Sequence, residues 1–345
     1  MSEPNGFDRF TRHWLPLLEA EMRSVLTGRD AAPTQHYQMM HYHMGWLDES
    51  FQPGSYETGK RIRPMLCLLA CQAVGGDPAT ALPAAAAVEI LHNFSLIHDD
   101  IEDGDETRRH RPTLWKQWGV PQAVNAGDGM FALAFAALLN SSGWGVPDRA
   151  LLAALTRFTA CCAALTEGQH LDLRFEQQQS VSVADYLRMI EGKTASLVAA
   201  SLSIGALLGG ASRECDNALY RFGLHIGLAF QIQDDILGIW GDPALTGKAA
   251  GSDILRRKKS LPLLYALEES TIGQALRQRL DKSLGEDDLP GVLDLLAAAN
   301  VRSFAEEEVR SHHQQGLDAL TEALSPSALT SPLGLLAAGL LGRKT

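Results

Sequence analysis

Ser95-Leu96-Ile97-His98-Asp99-Asp100-Ile101-Glu102-Asp103 carries the chain from an apolar run straight into acids, and Arg108 and Arg109 follow. On a helix, Asp99 and Asp103 share a face about one turn apart. Two carboxylates held that way repel each other unless a cation sits between them, and their hard oxygens suit a divalent ion such as Mg²⁺. A solvated helix end would explain this stretch alone. It does not explain the recurrence downstream, where Gly227-Leu228-Ala229-Phe230 leads into Gln231-Ile232-Gln233-Asp234-Asp235, with Asp242 and Lys248 just beyond. Acids on buried-looking helices are costly unless something pairs with them.

The bases that could do so are Lys60, Arg63, Arg108, Arg109, Lys193, Lys248 and Lys258. Lys60 and Arg63 stand three apart in Gly59-Lys60-Arg61-Ile62-Arg63-Pro64, at the start of an apolar helix, and a helix start with adjacent cations suits a phosphate. Acids holding several Mg²⁺, ringed by Lys and Arg, match an oxygen-rich anion, and a diphosphate fits. One cationic cluster at Lys60 and Arg63 and another at Lys193 and Lys248 allow two diphosphates. The helices beside the acids are rich in Ala, Leu, Ser and Phe, so the rest of the substrate is expected to be hydrocarbon.

Helices must position these groups. Phe7, Trp14, Leu15, Leu18, Met22, Val25 and Leu26 repeat at helical spacing. Residues 29–58 are mixed, broken by Pro33 and Pro53. An apolar helix then runs through Gln72, and an Ala-rich one from Ala81 carries His92 on the face of Asp99 and ends at Gly104. Asp105–Pro112 reads as a charged loop. Further helices are expected over residues 119–140, 148–177, 183–210 and 221–240, then a polar loop from Gly241 to Lys259, then helix and short loop to the end. Alternating Val/Ile/Thr runs are almost absent, so the fold class is all-α, a helical bundle with its site among inward-facing side chains. With no linker-like stretch, the 345 residues are read as a single domain.

Acids outnumber bases 41 to 30, for a net charge of −11, which argues against nucleic acid as a partner. The five cysteines are an odd, sparse set, expected as reduced buried thiols of a cytoplasmic protein, with Cys67 and Cys71 as core residues rather than metal ligands. The polar N-terminus lacks a signal core. The apolar run Ala195–Gly210 falls short of the roughly 20 residues of a spanning helix, so no transmembrane segment is expected.

Taken in order, Gly59-Lys60-Arg61-Ile62-Arg63-Pro64, His92-x-x-Ser95-Leu96-Ile97-His98-Asp99-Asp100-x-x-Asp103, Arg108-Arg109, Gly168-Gln169-x-x-Asp172, Lys193-Thr194 and Phe230-Gln231-x-x-Asp234-Asp235 resemble the trans-isoprenyl diphosphate synthases, the polyprenyl synthetase family. The resemblance implies Asp99 and Asp103 as ligands of two Mg²⁺ and Asp234 of a third, supported by Asp100 and Asp235. It implies Arg108, Lys193, Thr194, Gln231 and Lys248 as allylic diphosphate binders, and Lys60, Arg63, His92 and Arg109 as isopentenyl diphosphate binders. Lys258 resembles a later active-site lysine, and a homodimer is what the family implies.

Two residues depart from the pattern. Gly238 stands where a third Asp is usual, and restoring it, Gly238→Asp, is expected to be tolerated. His110 stands where Gly often follows the two arginines, which puts that loop's conformation in question. Phe94 lies five residues before Asp99, about 7.5 Å along a helix, beside the small Ser95. In the family, a lone aromatic there resembles synthases of C20 geranylgeranyl diphosphate, with C15 farnesyl diphosphate as the alternative product. Three other readings compete. Glu89-x-x-His92 and Glu167-x-x-His170 have the spacing of a di-iron carboxylate bundle. A terpene cyclase would share the scaffold, but Lys60, Arg63 and His92 argue for a second diphosphate. A non-catalytic subunit would not need Asp99, Asp103 and Asp234.

Overall fold

The structure, a computed structural model, describes residues 6–28, 34–242, 251–269, 272–281 and 284–341. Lys248 lies outside them. The described residues are helical almost throughout, as the all-α reading expected. They group into two compact units. The first runs to Thr159 and adds Ala200–Asn217; the second comprises Ala160–Ala199 and the chain from Ala218 on.

The first unit is built on α4 (Leu82–Glu102), against which α1 (Gly6–Val25), α3 (Ile62–Ala73) and, most extensively, α6 (Val120–Leu139), which follows the short α5 (Leu114–Trp118), pack. Residues Leu82–Leu91 of α4 are buried without a break. A helix apolar all round is stable only inside a core. Small residues permit the close packing: a Cβ on Gly127 of α6 would overlap the His98 ring. Cys67 and Cys71 are free and buried in α3, and burial pushes the Cys71 thiol up to about 11. They are core residues, as read.

In the second unit, α8 (Val183–Ile190), the later part of α10 (Arg213–Trp240) and the helix Leu261–Glu268 share a core with Val301–Leu324 through Tyr186, Ile232, Ile236, Leu264 and Val309. α9 (Ser196–Leu208) and α7 (Asp148–Gln177) belong in part to each unit.

Local structure departs from the sequence reading at five places. The mixed stretch before Gly59 holds α2 (Gln35–His43), whose Met39, Met40 and Tyr42 are buried although its pattern has no clear period. The charged loop after α4 folds into a hairpin of β1 (Thr107–Arg108) and β2 (Arg111–Pro112), turned by Arg109 at φ +52° and His110 at φ +62°. Consecutive left-handed residues make the two-residue turn that fits strand twist, so the loop questioned over His110 is a tight turn. A π-helical segment, Glu191–Ala195, interrupts the helix expected over 183–210. α10 starts at Arg213 rather than Arg221, and a helical turn, Ser252–Leu255, breaks the loop expected after Gly241.

Three segments, Pro78–Glu102, Val120–Trp144 and Asp148–Gln177, are long and apolar enough to cross a membrane by length and composition alone, more than the sequence reading allowed. In the first, 72% of the apolar window is buried inside the protein, so its apolarity serves the core; in the other two the share is 39% and 33%.

Candidate active site

The first acidic cluster ends α4. Asp100 is buried, Asp99 half-buried and Asp103 exposed as the C-cap residue, its N–H donating to the Asp99 carbonyl at 2.9 Å. Arg108, presented by β1, donates from Nε to Asp100 Oδ1 at 2.6 Å and from Nη2 to Asp99 Oδ2 at 3.4 Å. Burial pushes the Asp100 carboxyl up to about 6, against the opposing pull of Arg108. Asp100 thus anchors an arginine that also reaches Asp99, and Asp103 is the most exposed of the three acids.

The basic group assembles around His92. Its Nε2 lies 3.4 Å from Arg63 Nη1. Burial, and then Arg63, Arg109, Arg108 and Arg61, hold its pKa well below the ordinary value, so His92 is a neutral partner of guanidinium groups. Lys60 is exposed just before α3. Arg61, buried, forms two ion pairs: Nε with Glu19 at 3.1 Å and Nη1 with Glu89 at 2.6 Å. Glu89 also accepts from Asn93 at 2.9 Å. This buried frame fixes the start of α3, and it consumes the carboxylate that a di-iron reading needs.

Three supports gave no signal in the sequence. Arg111 lies between the rings of Tyr42 and Tyr56, 3.9 Å from each centroid, and donates to the carbonyls of Tyr42 and Leu47. It ties down the hairpin that presents Arg108 and Arg109. Tyr186 and Asp253, described below, are the others. Each acts through a contact distant in sequence, which no local spacing encodes.

Below the acids, Ser95 is half-buried, while Phe94 is 9% exposed and packs its ring on His98 and Phe131. Phe131, Phe135 and Phe158 continue the line at centroid spacings of 5.3 and 5.1 Å.

In the second unit the π-helical segment sets the chemistry. Lys193 pairs with Asp172 at 2.5 Å, and Thr194 Oγ1 donates to Gln231 at 3.1 Å. π-segments recur at functional sites because the extra residue re-aims side chains. A Cβ on Gly168 would overlap the Lys193 backbone, so the glycine lets α7 approach. On α10 Asp234 is half-buried and Asp235 wholly buried. Asp235 accepts from the Tyr186 hydroxyl, from the Leu261 N–H at 3.2 Å and from Lys258 at 3.3 Å. Burial raises its pKa, and these donors oppose the rise.

The expectation for Gly238 is corrected here. A Cβ at 238 would fall on the Asp253 carboxylate. Gly238→Asp therefore clashes and sets acid against acid.

Among the described residues no three acidic, His or Cys side chains form a metal-binding group. Mg²⁺ does not require one, because it keeps several waters and takes one or two carboxylates together with substrate phosphates. The hard carboxylate oxygens of Asp99 and Asp103, one helical turn apart at the end of α4, fit that ion.

The polyprenyl synthetase family model matches residues 44–295. The (2E,6E)-farnesyl diphosphate synthase of Mycobacterium tuberculosis is 40% identical over 347 residues, covering 98% of this chain and 95% of its own. A geranylgeranyl pyrophosphate synthetase structure from Pyrococcus horikoshii aligns with a TM-score of 0.86 at 34% identity, covering 98% of each chain. The geranylgeranyl pyrophosphate synthase of Corynebacterium glutamicum, solved with isoprenyl diphosphate and magnesium, aligns at 0.79 with 26% identity, covering 99% of this chain and 100% of that one.

Proposed function

The chain belongs to the polyprenyl synthetase family and is a transferase, and from that premise we propose that it joins isopentenyl diphosphate head to tail with allylic diphosphates, ending mainly at C20 geranylgeranyl diphosphate. The observation that carries this reading is the end of α4, which gathers Asp99, Asp100 and exposed Asp103 beside Arg108, the arginine reaching both Asp99 and Asp100.

Lys60, Arg63, His92 and Arg109 bind isopentenyl diphosphate. Arg108, Lys193, Thr194, Gln231 and Lys248 bind the allylic diphosphate, and Lys258 adds charge there. Asp99 and Asp103 would hold two Mg²⁺ and Asp234 a third, and these ions would supply electrostatic stabilisation of the departing diphosphate. The Arg108 guanidinium and the Lys193 ammonium share that stabilisation as the allylic C–O bond breaks. The double bond of isopentenyl diphosphate attacks the allylic cation, and a proton leaves to the released pyrophosphate. Apolar walls exclude the water that would quench the cation.

Phe94, backed by Phe131, limits the product. A C15 product is the second reading, favoured by the farnesyl diphosphate synthase similar over 98% of the chain. The enzyme acts in the cytoplasm as a homodimer. The partly exposed apolar faces of Val120–Trp144 and Asp148–Gln177 support that assembly. The test is incubation with Mg²⁺, isopentenyl diphosphate and each allylic primer, reading products by chain length. Mainly C20 is expected; mainly C15 overturns the length, and no elongation overturns the activity.

A further inference from the structure

We propose that Asp253 is a positioning residue of the second acidic cluster: its carboxylate takes the side-chain space that Gly238 leaves free and holds Lys258 beside Asp235. The inference rests on the proposed function for its chemistry and on packing for its geometry.

Gly238 lies on α10 four residues after Asp234 and three after Asp235, so the three positions share a face. A glycine in a helix interior costs about 1 kcal/mol relative to Ala, so it calls for a packing reason. The reason is the segment that follows. The Gly251 N–H donates to the Ile239 carbonyl at 3.1 Å, and Ser252 Oγ donates to the Gly238 carbonyl at 3.5 Å. Those bonds seat the turn Ser252–Leu255 against α10. Asp253 on that turn is 6% exposed, and its carboxylate stands where a Cβ at 238 would be.

A buried carboxylate needs a partner. Lys258 supplies it, with Nζ 3.7 Å from Asp253 Oδ2 and 3.3 Å from Asp235 Oδ1, while its backbone N–H donates to the Asp253 carbonyl at 2.9 Å. Tyr186 and the Leu261 N–H already engage Asp235. Asp235 alone would leave the flexible lysine stem a single anchor; Asp253 provides the second. The carboxylate absent from the usual third position of the motif is thus supplied from outside the helix, and the glycine is the seat it needs.

The test combines calorimetric binding of inorganic pyrophosphate in Mg²⁺, thermal unfolding and steady-state kinetics. Asp253→Asn keeps the volume and removes the charge, and is expected to weaken pyrophosphate binding about tenfold, the size of a charge-assisted contact. Gly238→Asp is expected to lower both Tm and pyrophosphate affinity. Adding Asp253→Gly to it moves the acid back onto the helix and is expected to recover most of both. Asp253→Asn binding pyrophosphate like the parent overturns the inference, and so does Gly238→Asp that is as stable as the parent. A parent that binds pyrophosphate but transfers no prenyl group overturns the enzymatic reading instead, and the calorimetric comparison still decides the role of Asp253.

Discussion

Asp99, Asp100 and Asp103 are three carboxylates in three surroundings, and burial divides their roles. Asp100 is buried against Arg108, whereas Asp103 is exposed to solvent at the helix end. Asp103→Ala is therefore expected to leave the far-ultraviolet circular dichroism unchanged and to lower kcat by about 10²–10³, the usual cost of a lost charge-stabilising group. Retention of more than about a tenth of the activity would count against Asp103 as a metal ligand. The basic residues divide by partner. Lys60→Ala and Arg63→Ala are expected to raise the apparent KM for isopentenyl diphosphate about tenfold, and Lys193→Ala that for the allylic substrate. The reverse pattern in initial-rate kinetics would exchange the two binding assignments.

Helix packing changes what Phe94 can do. Its ring centroid lies 4.9 Å from that of Phe131 on α6, so removing one ring exposes another. Phe94→Leu alone is expected to lengthen products slightly, and Phe94→Leu with Phe131→Leu to lengthen them clearly, while Ser95→Phe shortens them toward C15. Unchanged product profiles in all three would make the aromatic line a core feature. A second contact joins α10 to Val301–Leu324, where His225 and His312 place Nδ1 atoms 3.0 Å apart. Burial lowers both pKa values, and the facing His312 and Arg221 add to the fall at His225. Their folded values lie below the ordinary 6.5, so the unfolded chain takes up protons first as pH falls. Stability is therefore present above 6.5 and lost as pH drops through the window beneath it. His312→Gln is expected to flatten that loss in Tm measured across the range; an unaltered slope would remove the pair from the acid response.

At the scale of the whole molecule, Leu139 and Leu152 are 48% and 66% exposed within two long apolar segments. Leu139→Glu with Leu152→Glu is expected to convert the proposed dimer to monomer in sedimentation velocity; an unchanged coefficient would place the interface elsewhere. The all-α class, the helices bearing both acidic clusters and the ordered motifs were legible in the sequence, because helical periodicity and i, i+4 spacing are local properties of the chain. α2 and the turn through Arg109 and His110 were not, since burial of Met39 and Met40 and the clamp of Tyr42 and Tyr56 on Arg111 outweigh weak local signals. Glu89 illustrates the limit: its spacing to His92 fits a metal ligand, yet Arg61 and Asn93 occupy it. Gly238 shows the same limit in reverse. The sequence registers a missing acid; only packing reveals that the Asp253 carboxylate fills its place, because a contact across fifteen residues of chain depends on how the intervening segment folds back.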